Sequence, residues 1–283
     1  MFSSWWFYSL LNLVFIVVFN QAYKVATKSL LDASALTILL QVLGGSFVLV
    51  VSPLFEWKFP TDVRIYFFML LAILFYAISD RLNTTVRSGI QASTFCILNQ
   101  LSTVFMIMAG FVFFKEEFLV TKIMGAGLII FSNIFVFYNG GRPKVNRYIV
   151  LGILSNLACT VALFIDVNLS DHFNIPFYVS MTLIGPGVVL FMVERTKVRA
   201  IKREFLQGNK KAILVVGFSW GLMVTTVLRA YQLGEVTVVA PIVAVGAILN
   251  VIAGYIFLKE RDHVIKKIIS AVLIIIGIVL IKI

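Results

Sequence analysis

Seven amide side chains, Asn12, Gln41, Asn99, Gln100, Asn133, Asn156 and Asn250, fall near the midpoints of long apolar stretches. A polar group at that depth in a bilayer is costly unless it faces other protein or water. Each amide both donates and accepts hydrogen bonds, so a ring of them suits recognition of a polar or zwitterionic solute. The competing use is tying helix to helix, worth roughly 0.6 kcal/mol per bond. Asn99 and Gln100 are consecutive and therefore about 100° apart around a helix. One is expected to line a cavity and the other to join helices. Trp220 joins the set of expected binding residues. It lies mid-stretch between Ser219 and Gly221, where its ring could wall a cavity or pack over a cation.

Charged residues gather at the ends of the apolar stretches. Lys24, Asp80, Arg81 and Arg87 stand toward one side, and Asp166, Arg229 and Glu235 toward the other. Opposite charges at both mouths suit two alternating gates, each closed by ion pairs and opened by hydrating them. The simpler use of interfacial charges is to snorkel to water. Asp166 and Glu235 are the carboxylates expected to carry a proton with substrate, because a partly desolvated carboxylate can exchange protons near neutral pH.

Other chemistries find little to work with. The 283 residues are 60% hydrophobic and 13% charged, which excludes the soluble globular classes. The net charge of +11 comes from basic residues in short turns, a placement that fits membrane orientation and anionic lipid rather than nucleic acid. Cys96 and Cys159 lie inside apolar stretches without metal-ligand spacing and read as buried thiols. His172 and His263 are isolated, with no His-Glu-x-x-His or paired-aspartate pattern to support an intramembrane enzyme. No Gly-x-x-x-x-Gly-Lys-Ser/Thr loop is present to cradle ATP. No metal, cofactor or catalytic residue is expected, and no removable signal peptide.

Ten helices are predicted to position these groups, over about 5–23, 34–54, 63–82, 89–114, 119–138, 147–168, 174–193, 211–231, 236–258 and 264–282. The segment 109–122, AGFVFFKEEFLVTK, overlays 253–266, AGYIFLKERDHVIK, with seven identities in fourteen at an offset of 144 residues. Asn12 and Asn156 repeat at the same offset. The linker 141–146, preceded by Gly140, separates a first copy (1–140) from a second (147–283). Five passes is an odd number, so the copies must enter the membrane from opposite sides. The expected fold is therefore an all-α integral membrane protein of ten transmembrane helices in two inverted five-helix repeats. The side facing the N-terminus carries only Lys58, Arg64, Lys115, Lys122, Arg229 and Lys282, and the other side carries the remaining 18 of 24 basic residues. By the positive-inside rule both termini lie outside the cytoplasm.

Three features together resemble the EamA-type ten-helix carriers of the drug/metabolite transporter superfamily. They are the five-plus-five repeat, Ala240-Pro241 in the ninth helix, and the Gly-x-x-x-x-Lys-Glu endings Gly110 to Glu116 and Gly254 to Glu260. Asn20 to Lys24 is similar to the Asn-x-x-x-Lys that ends the family's first helix, whereas Cys96-Ile97 departs from the Ala-Pro of the second copy. The resemblance spans the whole chain. It implies alternating-access transport of a small molecule held between the repeats, and it implies cytoplasmic termini, against the charge count. The expected partners are a small polar or amphipathic metabolite, the lipid bilayer, and a proton or counter-substrate, in a plasma-membrane monomer or homodimer. A carrier of lipid-linked substrates is the alternative.

Overall fold

A computed structural model describes residues 4–54, 58–102, 104–105, 108, 120–137, 146–169, 172–233 and 236–282. Lys115-Glu116 and Glu235 lie outside these residues, as do the side chains of Ala240-Pro241. The described helices are α1 (Trp5–Lys28), α2 (Ala33–Val51), α3 (Val63–Gly89), α4 (Ala92–Leu98), α5 (Val120–Phe137), α6 (Arg147–Leu169), α7 (Ile175–Val193), α8 (Val198–Gln207), α9 (Lys210–Leu233), α10 (Val236–Phe257) and α11 (Val264–Lys282).

Seven of them, α1, α2, α3, α6, α7, α9 and α11, are long and apolar enough to cross a membrane; α5 and α10 carry shorter apolar stretches. Their surfaces are inverted relative to a soluble bundle. Val50, Leu54 and Val63 are more than three-quarters exposed, while Asn12, Gln41, Asn156 and Asn250 are at most 1% exposed. Only lipid makes that arrangement favourable, since water would reward the opposite one. The chain is an all-helical, multi-pass membrane protein.

Short polar side chains start the helices. Asp32 Oδ1 accepts from the amides of Ser34 and Ala35 at 2.9 and 3.1 Å, and Asn174 Oδ1 accepts from Phe177 N at 2.9 Å. Each satisfies donors that the first turn leaves unpaired. Two boundaries differ from expectation in an informative way. Helix α3 continues to Gly89 rather than ending near 82, because its polar last turns face protein partners instead of water. The expected helix over 89–114 is interrupted: α4 ends at Leu98, and the amide of Gln100 bonds to Ile97 O at 3.1 Å, a tight i−3 turn.

The four most extensive helix–helix contacts are related by the 144-residue offset. That offset exchanges α1 with α6, α2 with α7, α3 with α9, α4 with α10 and α5 with α11. Helix α1 packs most extensively on α9, and the exchanged pair α6–α3 comes next. The α2–α9 contact exchanges with α7–α3, while α2–α7 and α5–α11 each exchange with themselves. Along α5–α11, Gly125 meets Gly277 and Ser132 Oγ donates to Ser270 O at 2.7 Å, so the two run antiparallel.

The 194–210 segment folds as the amphipathic helix α8, with Lys202 and Arg203 outward and Glu204 turned in. The Glu204 carboxylate accepts from Leu31 N and Asp32 N at 3.2 and 3.0 Å and so clasps the α1–α2 turn. Burial pushes this carboxyl above the usual range, partly offset by those two amides. A raised folded-state value means that protonation favours the folded form, so acidification should leave the clasp intact. Glu204→Gln is expected to be nearly neutral and Glu204→Ala to cost about 1–3 kcal/mol by orphaning two amides. Thermal unfolding of the purified protein between pH 5 and 8 checks both.

Candidate functional site

A cavity of about 350 Å³ lies among α1, α3, α6, α7, α9 and α10. One wall is a single face of α3: Tyr76, Asp80, Asn83 and Arg87 follow at steps of four, three and four residues, the spacing that stacks side chains along one helix face. The wall supplied by α9 is apolar, with Trp220, Met223, Val224, Val227 and Leu228. Adding 144 to 76, 80 and 83 gives 220, 224 and 227, so the two walls are related by the same sequence offset. Helix α3 supplies polar groups there and α9 apolar ones.

Two carboxyl groups and one guanidinium line this space, Asp80, Asp166 and Arg87. Asp80 Oδ2 accepts from Gln41 Nε2 at 2.8 Å. Asp166 accepts from Tyr76 Oη at 2.6 Å and also from the Tyr178 hydroxyl. Arg87 is 5% exposed, and its guanidinium carbon sits 3.8 Å from the Phe95 ring centroid, 4.5 Å from Tyr23 and 5.0 Å from Phe19. Tyr23 Oη is held by Thr84 Oγ1 at 2.6 Å, and Thr84 in turn by Asp80 O at 3.1 Å, which locks the ring under the arginine.

The amides divide by role. Asn12 and Asn99 line the cavity. Asn12 Nδ2 donates to Met223 O at 2.7 Å, while its Oδ1 is buried without a partner. Gln41 stands behind the wall on Asp80, and Gln100 is half-buried off the lining. Asn156 and Asn250 are also off the lining and serve as ties. Asn156 Nδ2 bonds Gly152 O at 2.7 Å and reaches Leu98 O at 3.5 Å, joining α6 to α4; Asn250 receives Gln21 Nε2 at 3.3 Å, joining α10 to α1. Trp220 is a cavity wall, packed 5.4 Å from Phe19. Cys159, read from sequence as a buried thiol, lines the cavity, whereas Cys96 is buried.

The charged residues expected at the mouths also separate. Arg81 pairs with Glu194 at 3.0 Å and donates to Ser34 Oγ at 2.9 Å, joining α3, α7 and α2. Lys24 Nζ donates to Arg87 O at 2.7 Å and joins α1 to α3. Arg229 donates to Gln232 at 3.0 Å on its own helix, so it does not meet Asp166 across a mouth. Asp80 and Asp166 belong to the cavity wall instead of the rim, each held there by a hydrogen bond from a neighbouring helix, from Gln41 and Tyr178 respectively. Tyr76 is passed over by the hydropathy reading, and Arg87 is read there as a charge of the mouth rather than of the cavity wall. The signal that could have found them is the four-three-four spacing along α3.

No family model matches this chain, and no curated protein does. A solved protein structure superposes on it with a TM-score of 0.63 at 12% identity, over 96% of this chain and 95% of the other. At that identity the likeness concerns the fold alone.

Proposed function

We propose that this chain is a secondary transporter that moves a small polar or amphipathic metabolite by alternating access, built as two inverted five-helix copies with ten spans. The observation that carries the reading is the two-walled cavity, whose α3 and α9 faces are related by the 144-residue offset. Self-exchanging antiparallel pairs such as α5–α11 are what a two-fold axis in the membrane plane requires. The EamA-like Ala240-Pro241 and Gly254 to Glu260 agree with it.

Matched residues sit in unequal surroundings, as a transporter caught in one of two states demands. Asn12 faces the cavity while its counterpart Asn156 ties two helices. Polar tethers crowd the basic end: Arg81–Glu194, Lys24–Arg87, Glu204 on Leu31 and Asp32, and Glu260 Oε1 accepting from Ala92 N at 2.8 Å. That end is the closed gate, and substrate enters from the other. Breaking these tethers while forming new ones opposite would expose the same cavity to the second side.

A metabolite-panel uptake screen in proteoliposomes tests the proposal; a panel in which nothing moves above protein-free vesicles refutes it. For any solute that moves, Asn99→Ala is expected to slow transport at least about tenfold, a lost hydrogen bond at a desolvated site. Asn250→Ala should instead lower thermal stability, because it removes the side-chain acceptor of the two that Gln21 uses to tie α1 to α10. Equal effects of both on transport with no change in stability would contradict the division between wall and tie. Orientation is decided by a cysteine placed in 194–210. Labelling from outside intact cells would put the basic end outside, against the charge asymmetry.

A further inference from the structure

Arg87 is the group in this cavity whose chemistry is least accounted for by the protein itself. It is 5% exposed, yet among the described residues no carboxylate lies within 4.0 Å of its guanidinium, and its Nε and Nη1 have no hydrogen-bond partner. Asp80, two turns earlier on the same face, is occupied by Gln41. Three rings, Phe95, Tyr23 and Phe19, stabilise the cation but leave the Nε and Nη1 donors in its plane unused. An arginine stays charged in any protein setting, and a buried charge left without a counter-ion is among the costliest features a fold can retain. A guanidinium stacked on rings with free donors in its plane is arranged to take an oxyanion edge-on.

The geometry points to Arg87 as the anion-binding residue of the cavity, which takes a small organic monoanion by its carboxylate. The apolar body of that solute lies against Trp220, Val224 and Val227 of the opposite wall. The cavity's other charges select the class. Asp80 and Asp166 share the space with Arg87, so their repulsion weighs about twice as heavily on a dianion such as phosphate as on a monoanion, which asks for only the one arginine edge. A cavity of about 350 Å³ has room for a single-ring acid. This inference rests on the transport reading for its purpose but not for its test, which is a binding measurement in detergent with no gradient.

The test compares benzoate, its neutral isostere benzamide, benzylamine and inorganic phosphate by thermal shift and by protection of Cys159, a cavity-lining thiol, from N-ethylmaleimide. The expected result is that benzoate stabilises the wild-type protein and slows Cys159 labelling, while benzamide and phosphate do neither at equal concentration. Arg87→Gln should weaken benzoate binding about 10- to 100-fold, the worth of a charged hydrogen bond, with benzylamine unaffected. Arg87→Lys should keep a weaker response, having the charge without the fork. Should Arg87→Gln fail to fold, the benzoate–benzamide difference on wild-type protein still decides. Equal effects of benzoate and benzamide, no response to benzoate, or undiminished benzoate binding by a folded Arg87→Gln would overturn the assignment. If benzoate fails to bind while the proteoliposome screen finds a neutral or cationic solute that moves, this inference falls and the transport reading stands. If benzoate binds through Arg87 and nothing is transported, the reverse holds.

Discussion

Exchanging Asp166 for asparagine is expected to abolish accumulation driven by a proton gradient while leaving solute exchange in place. The side chain is 6% exposed, faces the cavity, and takes hydrogen bonds from the Tyr76 and Tyr178 hydroxyls. No cation lies within 4.0 Å of it among the described residues. Coupling requires a group that gains and loses a proton while in contact with the substrate's space, and a carboxylate held only by neutral hydroxyls can do so without breaking an ion pair. Asparagine keeps the shape and one acceptor oxygen but cannot titrate. With a gradient of one pH unit, one proton per solute supports an accumulation of about tenfold. In proteoliposomes the variant should equilibrate at a ratio of one, with counterflow of preloaded solute still measurable. Unchanged accumulation would clear Asp166 and leave Asp80 as the remaining carboxylate of the cavity.

Gly221→Val is expected to cost more stability than any single cavity substitution. A Cβ at this position would stand 2.3 Å from Val48 Cγ2 and 2.8 Å from Gly44 O, and the second of these is backbone that cannot rotate away. One turn earlier, a Cβ at Gly217 would meet Leu43 Cβ at 2.8 Å. Gly217 and Gly221 form a Gly-x-x-x-Gly face on which α2 rests, the close approach that small residues permit between membrane helices. Parting α2 from α9 would also displace Trp220, the ring between those glycines that walls the cavity. Overpacking of this kind costs about 1–3 kcal/mol or more. Gly127, with nothing within 4 Å of its added Cβ, supplies the control. Gly127→Ala should be neutral or mildly stabilising, since alanine is the better helix former by about 1 kcal/mol. Monodispersity and melting temperature in detergent distinguish the two. A Gly221→Val protein that melts like Gly127→Ala would show that α2 and α9 are not in close contact.

These two sites differ in how far they could be read beforehand. Asp166 stands out as a carboxylate at the end of an apolar stretch, though as a member of a gate. Its tyrosine partners come from α3 and α7, 90 residues before it and 12 after it. The glycine face on α9 is visible as a motif, but its partner Gly44 is not, because nothing local says which helix will lie across it.

Hydropathy and length alone, summed along the chain, determined that this protein is helical and threads a membrane many times. Each apolar segment is long enough by itself, and lipid leaves its backbone little choice but to hydrogen-bond internally. They also marked Asn12, Gln41, Asn156 and Asn250 as buried, since an amide at mid-span has nowhere else to be. Only the tertiary arrangement decided that Asn12 faces an open chamber while Asn156 and Asn250 fasten helices, and that Arg87 points inward. The direction a side chain takes depends on the rotation of its helix against neighbours more than a hundred residues away. Helices can turn about their axes at little change in hydrophobicity, so the order of apolar and polar residues along the chain does not contain that angle.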